Sequence, residues 1–298
     1  MPLTGRYAVQ GAQMRTGIEL WARRAGVRVE VVDDGSKPDQ ATRIHEELVA
    51  RGCRVVLGPY GSDCTRTVAE ARAGSVVWNH GGAADDVQHL PGVVSVAAPA
   101  SRYLVALGRA VANLRPRAAA AVITAPGRFA RFARERLERE AGLLGIELVS
   151  DLAEADAVLL CGPQQWECER LRPLIGSGRL LGGLSPGLAA FHRLLGADPE
   201  GMLAPVQWHP DLRRTPELGP GTLPVEDYVA VQAYAAALIA DRCLELNSAD
   251  PLATARALRT TTCLGAFELD ASGLQVGHHL SVVRWRSGRR ELLLSDSE

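Results

Sequence analysis

Ser62 stands where a hydroxyl could do chemistry. It follows Val55-Val56-Leu57-Gly58-Pro59-Tyr60-Gly61 and precedes Asp63-Cys64-Thr65. Three apolar residues run into Gly-Pro, a small polar loop follows, and a helix-like run extends from Arg66 to Ala73. A strand that empties into the mouth of a helix presents free N–H groups to an anion, with the hydroxyl among them. The competing reading is a helix cap that holds no ligand. Asn79-His80-Gly81-Gly82-Ala83-Ala84 follows the next strand. Its paired glycines let a ligand or another backbone come close, or they merely turn the chain. His80 has no histidine or acid at metal-ligand spacing, so metal binding is not read from it.

A third constellation, Gly183-Leu184-Ser185-Pro186-Gly187, fits the G-x-S-x-G nucleophile elbow and lies between a strand and a helix. His80-Gly81-Gly82 even matches part of an oxyanion-hole motif. A serine-hydrolase reading fails on one atom: the residue after the nucleophile must donate its amide, and Pro186 has none. Gly176-Ser177-Gly178 does not continue into a dinucleotide fingerprint, and there is no P-loop. The adjacent acids Asp33-Asp34 and Asp85-Asp86 lie in loops with side chains that diverge, which argues against acid–base work by either pair. Cysteines occur at 53, 64, 161, 168, 243 and 263 without a C-x-x-C pair, so they read as buried thiols rather than zinc ligands. A Cys53–Cys64 bridge stays open for an exported protein. No cofactor is called for.

Strand-like and helix-like segments alternate around these positions. Residues 10–25 read as a helix, 27–32 as a strand, 39–51 as a helix, 54–57 as a strand, 65–73 as a helix and 75–78 as a strand. That series makes a parallel sheet with helices on both faces. Residues 93–96 run extended, and a helix over 101–114 opens a second series. It has strands at 119–124, 147–149, 157–160 and 179–181, with helices at 128–144, near 166–175 and at 187–195. Residues 202–208 are extended, a Pro/Gly-rich stretch spans 210–224, and helices follow at 225–246 and 251–260. Late strands at 266–269 and 280–285 flank the turn Asp270-Ala271-Ser272-Gly273. The architecture expected is two lobes: 1–98 with 211–279, and 99–210 with 280–298. The chain crosses between them near 97 and 205, which makes a hinged cleft able to close on a ligand.

The formal net charge of −1 gives no steering toward nucleic acid or an acidic membrane surface. Lys37 is the only lysine, and Arg213-Arg214 and Arg289-Arg290 read as solvated faces. No window has the apolar length of a membrane span. The opening Met1-Pro2-Leu3-Thr4-Gly5 lacks a leader pattern, so the sequence as written reads as cytoplasmic, and as exported if the true start lies upstream.

Together these segments resemble the type I periplasmic binding proteins, in particular the substrate-binding proteins of branched-chain amino acid ABC transporters. Pro2-Leu3-Thr4-Gly5-Arg6-Tyr7-Ala8 is similar to that family's first loop. Val31-Val32-Asp33-Asp34-Gly35-Ser36-Lys37-Pro38 is similar to its second-strand segment, and Gly58-Pro59-Tyr60-Gly61-Ser62 to its ligand-side loop. The run from Tyr228 to Leu238 resembles its returning helix, and Phe267-Glu268-Leu269-Asp270-Ala271-Ser272-Gly273 its late turn.

The resemblance implies an α/β fold of two Rossmann-like lobes with parallel sheets, joined by a multi-strand hinge, and no catalysis. A small organic ligand would sit in the cleft, for delivery to a membrane permease. It puts the family's carboxylate-binding serine at Ser62, backbone contacts at Gly81 and Gly82, and aromatics at Tyr7 and Tyr228, with Tyr60, Gly61, His80 and Ser185 in the adjoining loops.

Three positions depart from the family. Its hydroxyl residue after the glycines is Ala83, its second-lobe tyrosine is Phe129, and the acid that pairs with a ligand ammonium is Leu184. An ammonium buried without an acid is costly, so the ligand expected is an amide, an aromatic acid or a keto acid. The family also places a short apolar strand before Pro2. The alternative function is a cytoplasmic ligand sensor of the same fold acting on a regulatory partner.

Overall fold

The computed structural model describes residues 1–71, 74–212 and 214–295. Arg72 and Ala73 of the helix read from residue 65, Arg213 of the Arg213-Arg214 pair, and residues 296–298 lie outside the described residues. The chain divides into two units, Met1–Pro99 with Leu212–His279 and Ala100–Asp211 with Leu280–Glu298.

In the first unit the helix Ala8–Ala25 buries Met14, Ile18 and Trp21, three or four residues apart, on one face. Gly26 ends it in the left-handed conformation, φ 68°. That face packs on the helix Tyr228–Leu246. Gly17 sits at the crossing, where a Cβ would strike the Ala230 carbonyl. The helix Pro38–Ala50 starts with its proline in the first turn, where a missing N–H costs nothing, and packs on the helix Ser62–Ala71. Ala41, Cys64, Val68, Val77 and Val93 close the core between these helices and the short parallel strands Val77–Asn79 and Val93–Ser95.

Residues 27–32, expected as a strand, form no ladder, and 54–57 contribute only the bridge from Leu57 to Trp78. A strand exists by virtue of its neighbours' carbonyls and amides. The amides of residues 28–32 and 55–57 donate to no backbone carbonyl among the described residues.

The second unit is built on a seven-stranded sheet in the order Arg289–Leu294, Ser281–Arg286, Leu203–Val206, Leu180–Gly182, Ala157–Cys161, Ala119–Thr124, Glu147–Val149. The five strands from Leu203–Val206 onward are mutually parallel, and the first two add antiparallel. Ala157–Cys161 is buried at every position, as befits a central strand covered on both faces. Val158, Leu160, Leu171, Phe191 and Trp285 belong to the core on one side of it. On the outer side of helix Arg128–Leu144, ion pairs four residues apart (Arg131–Glu135, Arg134–Glu138, Arg136–Glu140) each add a few tenths of a kcal/mol.

The Arg289-Arg290 pair opens an edge strand, and its Arg289 is exposed, as a solvated residue should be. Ser287 and Gly288, with φ of 48° and 74°, turn the chain into it, and Arg290 is half buried with its guanidinium donating to the Gly187 carbonyl. Two helix expectations are corrected. The helix expected over 187–195 shrinks to Phe191–Leu195, preceded by a single 3-10 turn at Ser185–Gly187 that contains Pro186. The helix from Pro251 stops at Ala257, because the β-branched run Thr260-Thr261-Thr262 enters a hairpin between Arg259–Thr261 and Ala266–Glu268. All six cysteines are free thiols, Cys53 and Cys64 included. No helix among the described residues is long and apolar enough to cross a membrane.

Gly17→Val is expected to destabilise the protein by about 2–3 kcal/mol through overpacking against helix Tyr228–Leu246. The urea midpoint measures it, and a midpoint equal to wild type would show that the two helices part without cost.

Candidate functional site

The loop 58–61 is tied to the turn after strand Val77–Asn79 by backbone bonds. Gly58 N donates to Trp78 O at 3.0 Å, and Gly61 N to Gly81 O at 3.3 Å. The helix Ser62–Ala71 begins where the loop ends. Both Thr65 N and Thr65 Oγ1 return to the Gly61 carbonyl, each at 3.0 Å. The first-turn amides of Ser62, Asp63 and Cys64 donate to no backbone carbonyl among the described residues. Ser62 Oγ accepts from Ala84 N at 3.1 Å, which leaves its hydroxyl proton to give. Loop, serine and Gly-Gly turn thus lie together as the sequence suggested.

Asn79, which sequence reasoning passed over, organises the second turn. It is fully buried. Its Oδ1 accepts from Gly81 N at 3.2 Å and Gly82 N at 2.7 Å, while its Nδ2 donates to Gly82 O at 2.8 Å and Ser95 Oγ at 2.5 Å. The two glycine amides expected to reach a ligand are therefore engaged within the lobe. Glycine is required at both positions by close approach: a Cβ on Gly81 would strike the Tyr60 ring, and one on Gly82 the Thr65 side chain. The available signal was a turn-forming Asn two residues before a Gly-Gly pair.

His80 is fully buried beside Gly58, and neither ring nitrogen has a partner among the described residues. Burial, aided by the nearby Met1 ammonium, brings its pKa down to about 3, so the ring is neutral. Ala83 is buried next to it in the chain.

Tyr7 and Tyr60 meet edge to face with centroids 5.2 Å apart. Arg6 donates to the Tyr7 hydroxyl at 2.6 Å and covers its ring. Arg6, Tyr7, Ser36, Gly61 and Asp63 help line a cavity of about 130 Å³ at the start of helix Ser62–Ala71. Asp33 fixes the loop that carries Tyr7. It accepts from Leu3 N at 2.8 Å, Thr4 N at 3.1 Å, Thr4 Oγ1 at 2.7 Å and Gly35 N at 2.9 Å. These bonds, the Thr4 hydroxyl foremost, lower its pKa to about 2. Tyr228 is the first residue of its helix, after Asp227, which accepts from the Gln13 amide.

In the second unit Phe129 stacks edge to face on Tyr103 at 4.9 Å. Leu184 and Ser185 lie in a turn governed by Glu167, a residue that nothing in the sequence separates from its neighbour Glu169. Glu167 is fully buried and accepts from Gly162 N at 2.9 Å, Leu184 N at 3.2 Å and Ser185 N at 2.7 Å. Burial pushes its carboxyl up to about 7, against these bonds and that of the Ser185 hydroxyl. Ser185 is 4% exposed, and the Pro186 carbonyl accepts from Trp285 Nε1 at 2.7 Å. A buried serine bonded to a carboxyl, before a proline with no amide to give, makes a structural turn and not a nucleophile elbow.

The sequence profile of the periplasmic binding proteins matches residues 1–157, more than half of the chain, and the chain belongs to that family. Among curated proteins none matches the sequence. Solved structures share the fold over nearly the whole length. A leucine binding protein from Thermotoga maritima is 14% identical with a TM-score of 0.81, over 98% of this chain and 95% of that one. A branched-chain amino acid transporter substrate-binding protein from Streptococcus pneumoniae, in complex with isoleucine, is 15% identical with a TM-score of 0.79, over 98% and 97%. An ABC transporter solute-binding protein from R. palustris, in complex with benzoate, is 17% identical with a TM-score of 0.75, over 98% and 93%. The fold is the type I periplasmic binding protein fold, α/β in both units.

Glu167 sets a pH dependence whose sign follows from its raised folded pKa. Below its ordinary value of 4.5 both states hold the proton. Between there and about 7 only the folded state does, so stability falls as pH rises, by on the order of 3 kcal/mol in full. Glu167→Gln is expected to flatten this slope in thermal unfolding followed from pH 4.5 to 7.5; an unchanged slope would assign it to another group.

Proposed function

We propose that this chain is a solute-binding protein of the ABC-transporter kind, and that its ligand is a small carboxylate without an ammonium group, an aromatic or keto acid. The observation that carries this reading is the first turn of helix Ser62–Ala71. Its three amides have no backbone acceptor, a serine hydroxyl has a proton to give, and an aromatic pair stands beside it. Such a turn attracts an anionic group through its N–H dipoles. Tyr7 and Tyr60 offer ring edges and faces to an aromatic body, and Gly61, lacking a Cβ, lets the Tyr7 ring pack against it.

The case against an ammonium comes from a departure from the family pattern. Leu184 occupies the position at which amino-acid binders of the family are expected to carry an acid. The acid that does touch this turn, Glu167, has both oxygens engaged by amides. Benzoate, bound by one structural neighbour, is a carboxylate with no ammonium, whereas the isoleucine of another carries one. Delivery of the ligand to a membrane permease is supported by the ABC-transporter setting of the benzoate-bound neighbour.

Thermal-shift and calorimetric titration with benzoate, 4-hydroxybenzoate, phenylpyruvate, leucine and valine tests the reading. Aromatic and keto acids should raise the melting temperature, because a ligand that binds only the folded state stabilises it. Ser62→Ala should weaken them by roughly tenfold to a hundredfold, the worth of a hydrogen bond to a charged group. Tight binding of leucine or valine, with the acids silent, would sink it.

A further inference from the structure

Two glutamines of the first unit, Gln88 and Gln275, are wholly buried. A carboxamide shut away from water costs free energy unless its groups are bonded. Gln275 Oε1 accepts from Glu268 N at 3.3 Å, Gly277 N at 2.9 Å and His278 N at 3.2 Å. Its Nε2 donates to Val96 O at 3.4 Å and Ala266 O at 3.3 Å. Gln88 joins it, accepting from Gln275 N at Oε1 and donating from Nε2 to Ala97 O, each at 3.1 Å. The backbone held in this way is about to leave the unit, for the chain crosses to the second unit after Pro99 and again after His279. Val96 and Ala97 lie within three residues of one crossing, and Gly277 and His278 within two of the other. One pair of side chains thus fixes the roots of both.

Gln88 is bonded toward the candidate site as well. It ends the short helix Asp85–Gln88, whose N-cap is Ala84. The Ala84 carbonyl accepts from Val87 N at 3.0 Å and Gln88 N at 3.2 Å, and Ala84 N donates to Ser62 Oγ at 3.1 Å. Hydrogen bonds and a single helical turn therefore run without a break from the Ser62 hydroxyl, through Ala84 and Gln88, to both roots.

We propose that Gln88 and Gln275 are positioning residues that couple the state of Ser62 to the two crossings. A hydroxyl that donates to a carboxylate becomes a stronger acceptor, because bonds in a chain polarise one another. A ligand that takes the Ser62 proton would therefore tighten the bond from Ala84 N and, through the helix Asp85–Gln88, firm residues 96–97 and 275–278. This ligand step rests on the reading that Ser62 binds a carboxylate. The run of bonds itself does not, and a change at Ser62 in the ligand-free protein should travel along it.

Ser62→Ala in the ligand-free protein removes the acceptor of Ala84 N. Native-state amide exchange should speed up roughly threefold or more at Ala84, Gln275, Gly277 and His278, and stay unchanged in helix Tyr228–Leu246. In a Gln88→Met background, which keeps the length but neither polar atom, Ser62→Ala should add less than about twofold at residues 275, 277 and 278. Unchanged rates at those three amides in Ser62→Ala alone would overturn the proposal. So would equal acceleration in helix Tyr228–Leu246, the mark of a unit loosened as a whole, or additive effects in the Gln88→Met background. If Gln88→Met does not fold, the pattern in Ser62→Ala decides. Saturating benzoate is the ligand arm, expected to slow exchange at residues 62–64 and also at 275, 277 and 278. Slowing confined to 62–64 would overturn the coupling and leave the carboxylate reading standing. Slowing nowhere would count against that reading, while the ligand-free comparison still decides the coupling.

Discussion

A backbone amide shut away from water must find an acceptor, and here the turns at the strand ends find theirs in a handful of side chains. The strands themselves are too short to serve: Val77–Asn79, Val93–Ser95 and Leu180–Gly182 have three residues each. Asp33 therefore gathers the first loop, Asn79 the Gly81-Gly82 turn, Glu167 the turn at Leu184 and Ser185, and Asp270 the late turn through Ser272 and Leu274. The choice of acceptor follows burial. Asp33 stays near water and keeps its charge with ease, whereas Glu167 lies wholly inside and resists ionising. Asn79, equally buried, offers a neutral carboxamide that accepts and donates at once and is spared that conflict.

This economy decides which polar groups remain for a ligand. Gly81 and Gly82 give their amides to Asn79, and Leu184 and Ser185 give theirs to Glu167. Among the described residues, no such side chain is drawn across the first turn of helix Ser62–Ala71. Ser62 spends an acceptor lone pair on Ala84 and retains its donor. The glycines of the second turn serve to bring Tyr60 and Thr65 close, and so to shape the surface beside the serine rather than to bind from it.

The sequence disclosed most of the architecture, because alternating β-branched runs and amphipathic helices have distinct periods and the loops between them carry Gly, Pro and Asp. Helix Arg128–Leu144 and strands Ala119–Thr124 and Glu147–Val149 follow the boundaries that their pattern predicts. Where pattern misled, a tertiary partner was the cause. Residues 27–32 have the composition of a strand but no ladder to join, and the helix expected over 187–195 gives way at its start to a 3-10 turn whose Pro186 carbonyl is held by Trp285. The candidate site was legible as Ser62 beside a Gly-Gly turn, two features that the fold brings together. Glu167 was not, since a buried acid in a helix differs from an exposed one only by what folds over it.

Helix Ala8–Ala25 completes its packing on helix Tyr228–Leu246, roughly 200 residues later in the chain. At about 5–20 residues per second of synthesis, its apolar stripe of Met14, Ile18 and Trp21 waits roughly 10–40 s for its cover. Unit two has no such gap for residues 100–211, whose parallel strands can pair as they emerge. The first helix to be translated thus waits long for its cover, and during that interval a sticky helix is offered to whatever protects nascent chains.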